Sequence, residues 1–167
     1  RKSHKFECHS VENYKSWIRK FKKNFETRNV KFHHSNIFMS TFNDKICSYY
    51  SKLPNISPNL IYLDAPDQFS VLGSVRGIST KNPDRFPMVG DILAMEYFLH
   101  PGTLIVLDGR TANARFLKNN FQRNWHYQHF EEFDQHIFEL VETPLGKFNR
   151  DYVNFCLGKN FAYKSKK

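Results

Sequence analysis

Two aspartates that each close a short apolar run are the residues of this chain best placed to do chemistry. The sequence reads N-L-I-Y-L-D-A-P-D from Asn59 and H-P-G-T-L-I-V-L-D-G-R from His100, so Leu60 to Leu63 ends on Asp64 and Leu104 to Leu107 ends on Asp108. An apolar run without alternation suits a parallel strand covered on both faces, and an open α/β sheet receives ligands at the carboxyl ends of such strands. A helix-length amphipathic segment, Met88 to Leu99, lies between the two runs. Strand, crossover and strand would therefore set Asp64 and Asp108 side by side at the mouth of one cleft. Paired carboxylates there can hold a hard cation or act as a base pair with shifted pKa values. The competing reading makes each a cap for the segment that follows. After Asp108 comes D-G-R-T-A-N-A-R, in which Arg110 and Asn113 suit recognition of an anionic or polyhydroxylated acceptor. Guanidinium groups bind carboxylate or phosphate in bidentate fashion. Arg115 reads as a surface arginine.

Other elements must position that mouth. Lys5 to Val11 has strand spacing and ends at Glu12. From about Asn13 to Phe25 the residues Tyr14, Trp17, Ile18, Phe21 and Phe25 recur at helical spacing, with Asn13 as the expected cap. Val30 to His34 reads as a second strand, and Phe38 to Lys52 carries a weaker helical pattern through Phe42, Ile46, Tyr49 and Tyr50. Gln68 to Pro87 has no periodicity and is rich in Gly, Ser, Pro and Arg, as a substrate-binding lid or recognition loop would be, with Arg76 and Arg85 as its cationic handles. Thr111 to Asn124 is again helical in pattern. Tyr127 to Phe133 and His136 to Val141 then read as strands joined by a tight turn near Asp134 and Gln135, an antiparallel hairpin. Alternation of strand and helix predicts parallel βα units in one domain over residues 1–158, followed by a basic tail, 159–167.

Composition narrows the class of protein. A length of 167 residues supports one hydrophobic core, and 16% aromatic content with seventeen Phe makes Phe the expected core filler. The formal charge of +9 invites a nucleic-acid partner. Much of the excess, however, sits on Lys15, Arg19, Lys20, Lys22, Lys23 and Arg28 and in the tail, where a solvated helix face explains it. Cys8, Cys47 and Cys156 have no metal-ligand spacing and cannot all pair, as expected in a reducing cytoplasm. No run of eighteen apolar residues marks a membrane span. None of the eight histidines sits in an H-E-x-x-H frame, and no G-x-S-x-G elbow, P-loop or G-x-G-x-x-G is present, which argues against hydrolase, phosphate-cradling and intact dinucleotide readings.

In order and spacing these phrases resemble the class I S-adenosylmethionine-dependent methyltransferases. S-V-E-N-Y resembles the family's second strand end, which implies a ribose-gripping role for Glu12 with Asn13 beside it. H-S-N-I is similar to the third strand end near the adenine, through Ser35, Asn36 and Ile37. D-A-P-D, with Asp64 and Ala65, looks like the motif at the active-site mouth, and L-x-P-G-T-L-I-V-L-D looks like the fifth strand. The resemblance implies a doubly wound, mostly parallel Rossmann-like sheet with a C-terminal antiparallel hairpin, strands ordered third, second, first, fourth, fifth, seventh, sixth. It also implies S-adenosylmethionine as cofactor and a small-molecule or glycan-type acceptor. The family's first strand and glycine-rich loop have no counterpart, so the expectation is a C-terminal part of a longer protein. In metal-dependent relatives an aspartate after each of the fourth and fifth strands holds magnesium, with an asparagine after the second. Gly109 stands at that place, which leaves the ligand set incomplete. The alternative is a non-catalytic module that binds an acidic partner or nucleic acid through its basic helix and tail.

Overall fold

The computed structural model describes residues 6–64 and 66–142. The aromatic segment and basic tail expected after Val141, and Ala65, lie outside that range apart from Glu142. Strand β1 (Cys8–Glu12), helix α1 (Lys15–Asn24) and strand β2 (Val30–His34) form a βαβ unit. Its strands pair in parallel, from Cys8 opposite Val30 to Glu12 opposite His34. Tyr14, not Asn13, is the residue before the helix, and no side chain caps it. Lys22 and Lys23 complement the dipole in the last turn. No residue of α1 is buried, and Trp17 remains 44% exposed.

The segment expected to be a helix over Phe38 to Lys52 is instead a hairpin, β3 (Ile37–Phe42) and β4 (Lys45–Tyr50). Asn43 and Asp44 turn it with φ of 45° and 62°, the left-handed pair that a two-residue primed turn requires. Phe42, Ile46 and Tyr50 are spaced by four, which falls on one face under helical and strand periods alike, so the Asn-Asp turn decides. The segment from Gln68 to Pro87 does not stand free. A 3-10 turn at Gln68–Ser70 leads to Leu72, which bridges Phe38, and Val89 just beyond bridges Ser48, so the segment is strapped to both edges of the hairpin. Gly90 lies against the Tyr49 side chain: a Cβ there would come within 2.6 Å of the ring, so Tyr49 would have to move.

A four-stranded sheet carries the remainder, with β5 (Leu60–Leu63), β6 (Leu104–Asp108), β8 (Gln135–Leu140) and β7 (Trp125–Phe130) in that spatial order. Strands β5 and β6 are parallel, and β8 runs antiparallel to both of its neighbours. Helices α2 (Asp91–Met95) and α3 (Thr111–Lys118) belong to this unit, and a 3-10 turn at Glu96–Phe98 extends α2. Leu63, Ile105, Leu107, Phe138 and Leu140 pack with Ile92, Leu93, Leu99, Ala114 and Leu117 to form the core. Both helices are shorter than expected, since Met88 and Val89 pair with the hairpin and α3 ends at Lys118.

These observations overturn the expected doubly wound, mostly parallel sheet. The strands fall into a parallel pair, a hairpin and a mixed sheet of four, not one continuous sheet. The large sheet is packed on one face only among the described residues. Tyr62, Val106 and Ile137 lie in one cross-strand row and Leu60 and Leu104 in the next, and Leu60 and Tyr62 are 61% and 59% exposed. Apolar runs without alternation therefore do not establish burial on both faces here. No helix of the described residues is long and apolar enough to cross a membrane.

Two buried carboxylates fasten these pieces. Glu96 accepts the backbone N–H groups of Gln122 and Arg123 and the indole N–H of Trp125, at 2.8 to 3.1 Å. The Arg123 guanidinium donates to the carbonyls of Glu96 and Leu99 and to Glu142, which it holds below the ordinary carboxylate range. A buried charge met by this many donors stabilises, whereas the same charge stripped of them would cost several kcal/mol. Replacing Glu96 with Gln turns an acceptor oxygen into a donor facing donors. The variant is expected to lose about 2–4 kcal/mol of stability, read as a lower urea midpoint at unchanged slope.

Asp91, at the start of α2, accepts the Tyr50 N–H at 3.2 Å to each carboxylate oxygen and so ties the hairpin to the large sheet's helix. Burial pushes its pKa up to about 6, against the partial relief of the backbone bonds. A carboxyl whose folded pKa exceeds its unfolded value of about 3.9 stabilises the fold when protonated. That stability is present in full below the unfolded value and is lost as pH rises through 6. Asp91 should therefore contribute a fall in melting temperature as pH rises from 4 to 7, opposed by carboxyls such as Glu142 whose pKa is held down, and Asp91→Asn should remove that falling contribution. An unchanged slope in the variant would assign it to other groups.

Candidate functional site

Parallel pairing of β5 with β6 sets Leu63 opposite Leu107, so Asp64 and Asp108 emerge at the same end of adjacent strands. Each carboxylate has a partner from the other strand or its exit. Asp108 accepts the Tyr62 hydroxyl at 3.0 Å, and Asp64 accepts Arg110 Nη2 at 3.2 Å. Partial burial, and then the Asp108 carboxylate, hold the Tyr62 hydroxyl above its usual pKa. The Asp64 side chain is 70% exposed, so its ion pair is screened and serves orientation more than stability. A guanidinium on Asp64 also opposes a divalent cation at that position.

Glu12 closes β1 and accepts the Ser10 hydroxyl on one oxygen at 2.8 Å, leaving the second for a further donor. The other residues expected around a cofactor are less free. Ser35 is buried, and its hydroxyl receives the Lys52 N–H at 2.9 Å and lies 3.2 Å from the Ser51 hydroxyl. Ile37 is core, with its carbonyl accepting from Leu72, and the Asn36 carbonyl accepts from Ser51. These two residues and Ser35 hold the root of the hairpin. The Asn36 side chain is exposed, and Asn13 follows Glu12 in the bend before α1.

Tyr50, tied by its backbone N–H to Asp91, is not marked in the sequence. Its hydroxyl is pushed up to about 12, by burial first and then by the carboxylates of Glu12, Asp91 and Asp64. One phenol thus feels the end of β1, the end of β5 and the start of α2. Nothing in the local phrase C-S-Y-Y-S marks it, because its position depends on a hairpin whose turn has first to be recognised.

The expected acceptor contacts divide. Arg110 lies at the mouth through its bond to Asp64. Asn113 is buried on the inner side of α3, where its side-chain oxygen accepts the Val89 N–H at 3.2 Å; its amide nitrogen has no partner among the described residues. It is placed to fasten the strap, not to meet an acceptor in bulk solvent. Arg76 occupies an exposed turn at φ 52°, between the paired residues Val75 and Ile78. Arg85 donates to the Ser79 carbonyl and lines a pocket with Met39, Ile46, Phe86 and Met88. Cys47 reaches the same pocket, and burial raises its thiol pKa.

No protein-family model matches this sequence, and no curated protein or solved structure matches it either.

Proposed function

We propose that this chain is a methyltransferase domain that uses S-adenosylmethionine to modify a small-molecule or glycan-type acceptor. The observation that carries the reading is the set of acidic residues at the carboxyl ends of parallel strands, Glu12 closing β1 and Asp64 and Asp108 emerging together from β5 and β6. The reading does not rest on a continuous sheet, which is not formed. It draws further support from the order β5, β6, β8, β7, the order that the resemblance implies for its fourth, fifth, seventh and sixth strands.

The residues present suit such a ligand in part. Glu12 has one carboxylate oxygen to accept a ribose hydroxyl, the logic by which dinucleotide sites read a ribose. Ser35 and Ile37 contribute by fixing the hairpin root instead of touching an adenine ring. The cofactor supplies an electrophilic methyl group on a sulfonium. Arg110, held by Asp64, presents its remaining guanidinium N–H groups to the acceptor, and Asp108 accepts the proton that an acceptor hydroxyl gives up. In-line displacement asks chiefly for alignment, and proximity alone supplies up to about 7–11 kcal/mol in well-oriented systems.

A second reading has its own observation. Helix α1 buries none of its residues, and the Lys20 ammonium lies 4.4 Å from the Trp17 ring, so an aromatic and cationic surface faces outward. A non-catalytic module that binds an acidic partner or nucleic acid would use such a surface. Charge reversal at Lys20, Lys22 and Lys23 separates the two, since only the binding module depends on them.

The direct test is calorimetric titration of the full-length protein with S-adenosylhomocysteine. Saturable binding in the micromolar range is expected, weakened at least tenfold by Glu12→Ala and little changed by the triple Lys→Glu variant. Absence of binding, or indifference to Glu12→Ala, would sink the methyltransferase reading.

A further inference from the structure

We propose that His129, Asp134 and His136 form a binding site for a divalent transition-metal ion of the zinc class. The three come from one hairpin. Strand register sets His129 directly opposite His136 on the helix-covered side of the sheet, and Asp134 projects from the turn between them. The available ligand atoms of all three lie within 4.8 Å of one another, and His129 Nε2 is already 3.9 Å from an Asp134 oxygen. The turn is a fixed one. Asp134 adopts φ 49°, its N–H donates to the Glu131 carbonyl, and its own carbonyl accepts from Gly109 at 2.9 Å.

His136 is the anchored ligand. It is fully buried, with Nε2 3.0 Å from the Thr111 hydroxyl and Nδ1 2.9 Å from the Tyr127 hydroxyl. Clamping of this kind fixes the orientation of a metal-binding imidazole, and a hydroxyl that donates to its lone pair can give way to a cation there. His129 is the adjustable one. Its ring stacks on His136 at 4.1 Å and 11°, an arrangement in which in-plane lone pairs do not converge, so the ring must turn to join the ion. It has the freedom to do so, because its side chain is 31% exposed, and the ligand Asp134 already lies 3.9 Å away.

The hairpin itself is acidic, while α3 brings two cations to its edge: Arg115 lies near enough to act on His136, and the Lys118 ammonium lies 4.3 Å from the Tyr127 ring. In a chain of net charge +9, the stretch from Trp125 to Leu140 carries Glu131, Glu132, Asp134 and Glu139 and no Lys or Arg, although Glu139 belongs to the opposite face of the sheet from His136. Two imidazoles and one carboxylate, with coordination positions left for water, make a set that suits zinc and its neighbours and not the all-oxygen preference of calcium or magnesium. The site lies on the opposite side of the sheet from the Tyr62–Asp108 bond, and it stands independently of the proposed methyl transfer.

The test is calorimetric titration of the chelator-stripped protein with zinc at pH 7.5, paired with thermal denaturation in zinc and in magnesium. One ion should bind per chain and raise the melting temperature, while magnesium does neither. His129→Ala and Asp134→Asn, both at exposed positions, should each weaken zinc binding at least tenfold while leaving the metal-free melting temperature within a few degrees. No saturable binding would overturn the site. So would binding undiminished in both variants, since the ion would then be elsewhere, for example beside Cys8, His9 and His33.

Discussion

Parallel pairing of β5 with β6 is the constraint on which the rest of the described structure depends. Parallel strands deliver their carboxyl ends to one side, so Asp64 and Asp108 must share a mouth whatever the loops do. The pairing also needs a crossover, and the chain supplies it through the strap, α2 and the turn to Thr103. Since α2 and α3 both return to the same face, one side of the sheet becomes the core, and the Leu60–Tyr62 side stays open among the described residues. Glu96 then locks that crossover to the start of β7, its carboxylate met at one buried point by two backbone N–H groups and an indole N–H.

The hairpin is the second organising piece. It is fastened at its root by Ser35, at its edges by Leu72 and Val89, and at its exit by Asp91. Those attachments carry Tyr50 to a place where carboxylates from β1, β5 and α2 all act on it. Strands β1 and β5 each pair on one side only, so both keep an edge of unpaired N–H and C=O groups among the described residues. Both strands end on an acidic residue, Glu12 and Asp64.

The individual strands of the large sheet are legible in the sequence for physical reasons, whereas their separation from β1 and β2 into a sheet of four is not. Leu60–Leu63 and Leu104–Leu107 are too short and too uniformly apolar to be helices, and Asp134 with Gln135 marks a reversal. The hairpin at Ile37–Tyr50 was not legible from periodicity, because a spacing of four satisfies both periods and only Asn43–Asp44 breaks the tie. Double coverage was inferred from apolar runs, but the runs show only that a strand is apolar, not that two layers reach it. At the mouth, Asp64, Asp108 and Arg110 were recognisable as neighbours from strand ends alone. Tyr50, Asp91 and the His129–His136 pair were not, since each depends on contacts across elements or on strand register. Ser35 and Asn113 were recognised as polar residues in suggestive places, and burial converts both into fasteners.

The measurement that bears most directly on the methyltransferase account is amide mapping by heteronuclear NMR of the nitrogen-15-labelled protein titrated with S-adenosylhomocysteine. The expected result is a set of saturable shifts grouped at Glu12 and Asn13, at Tyr50 and at Asp64. Shifts confined to α1, or none at saturating ligand, would contradict it and leave the basic aromatic helix as the functional surface.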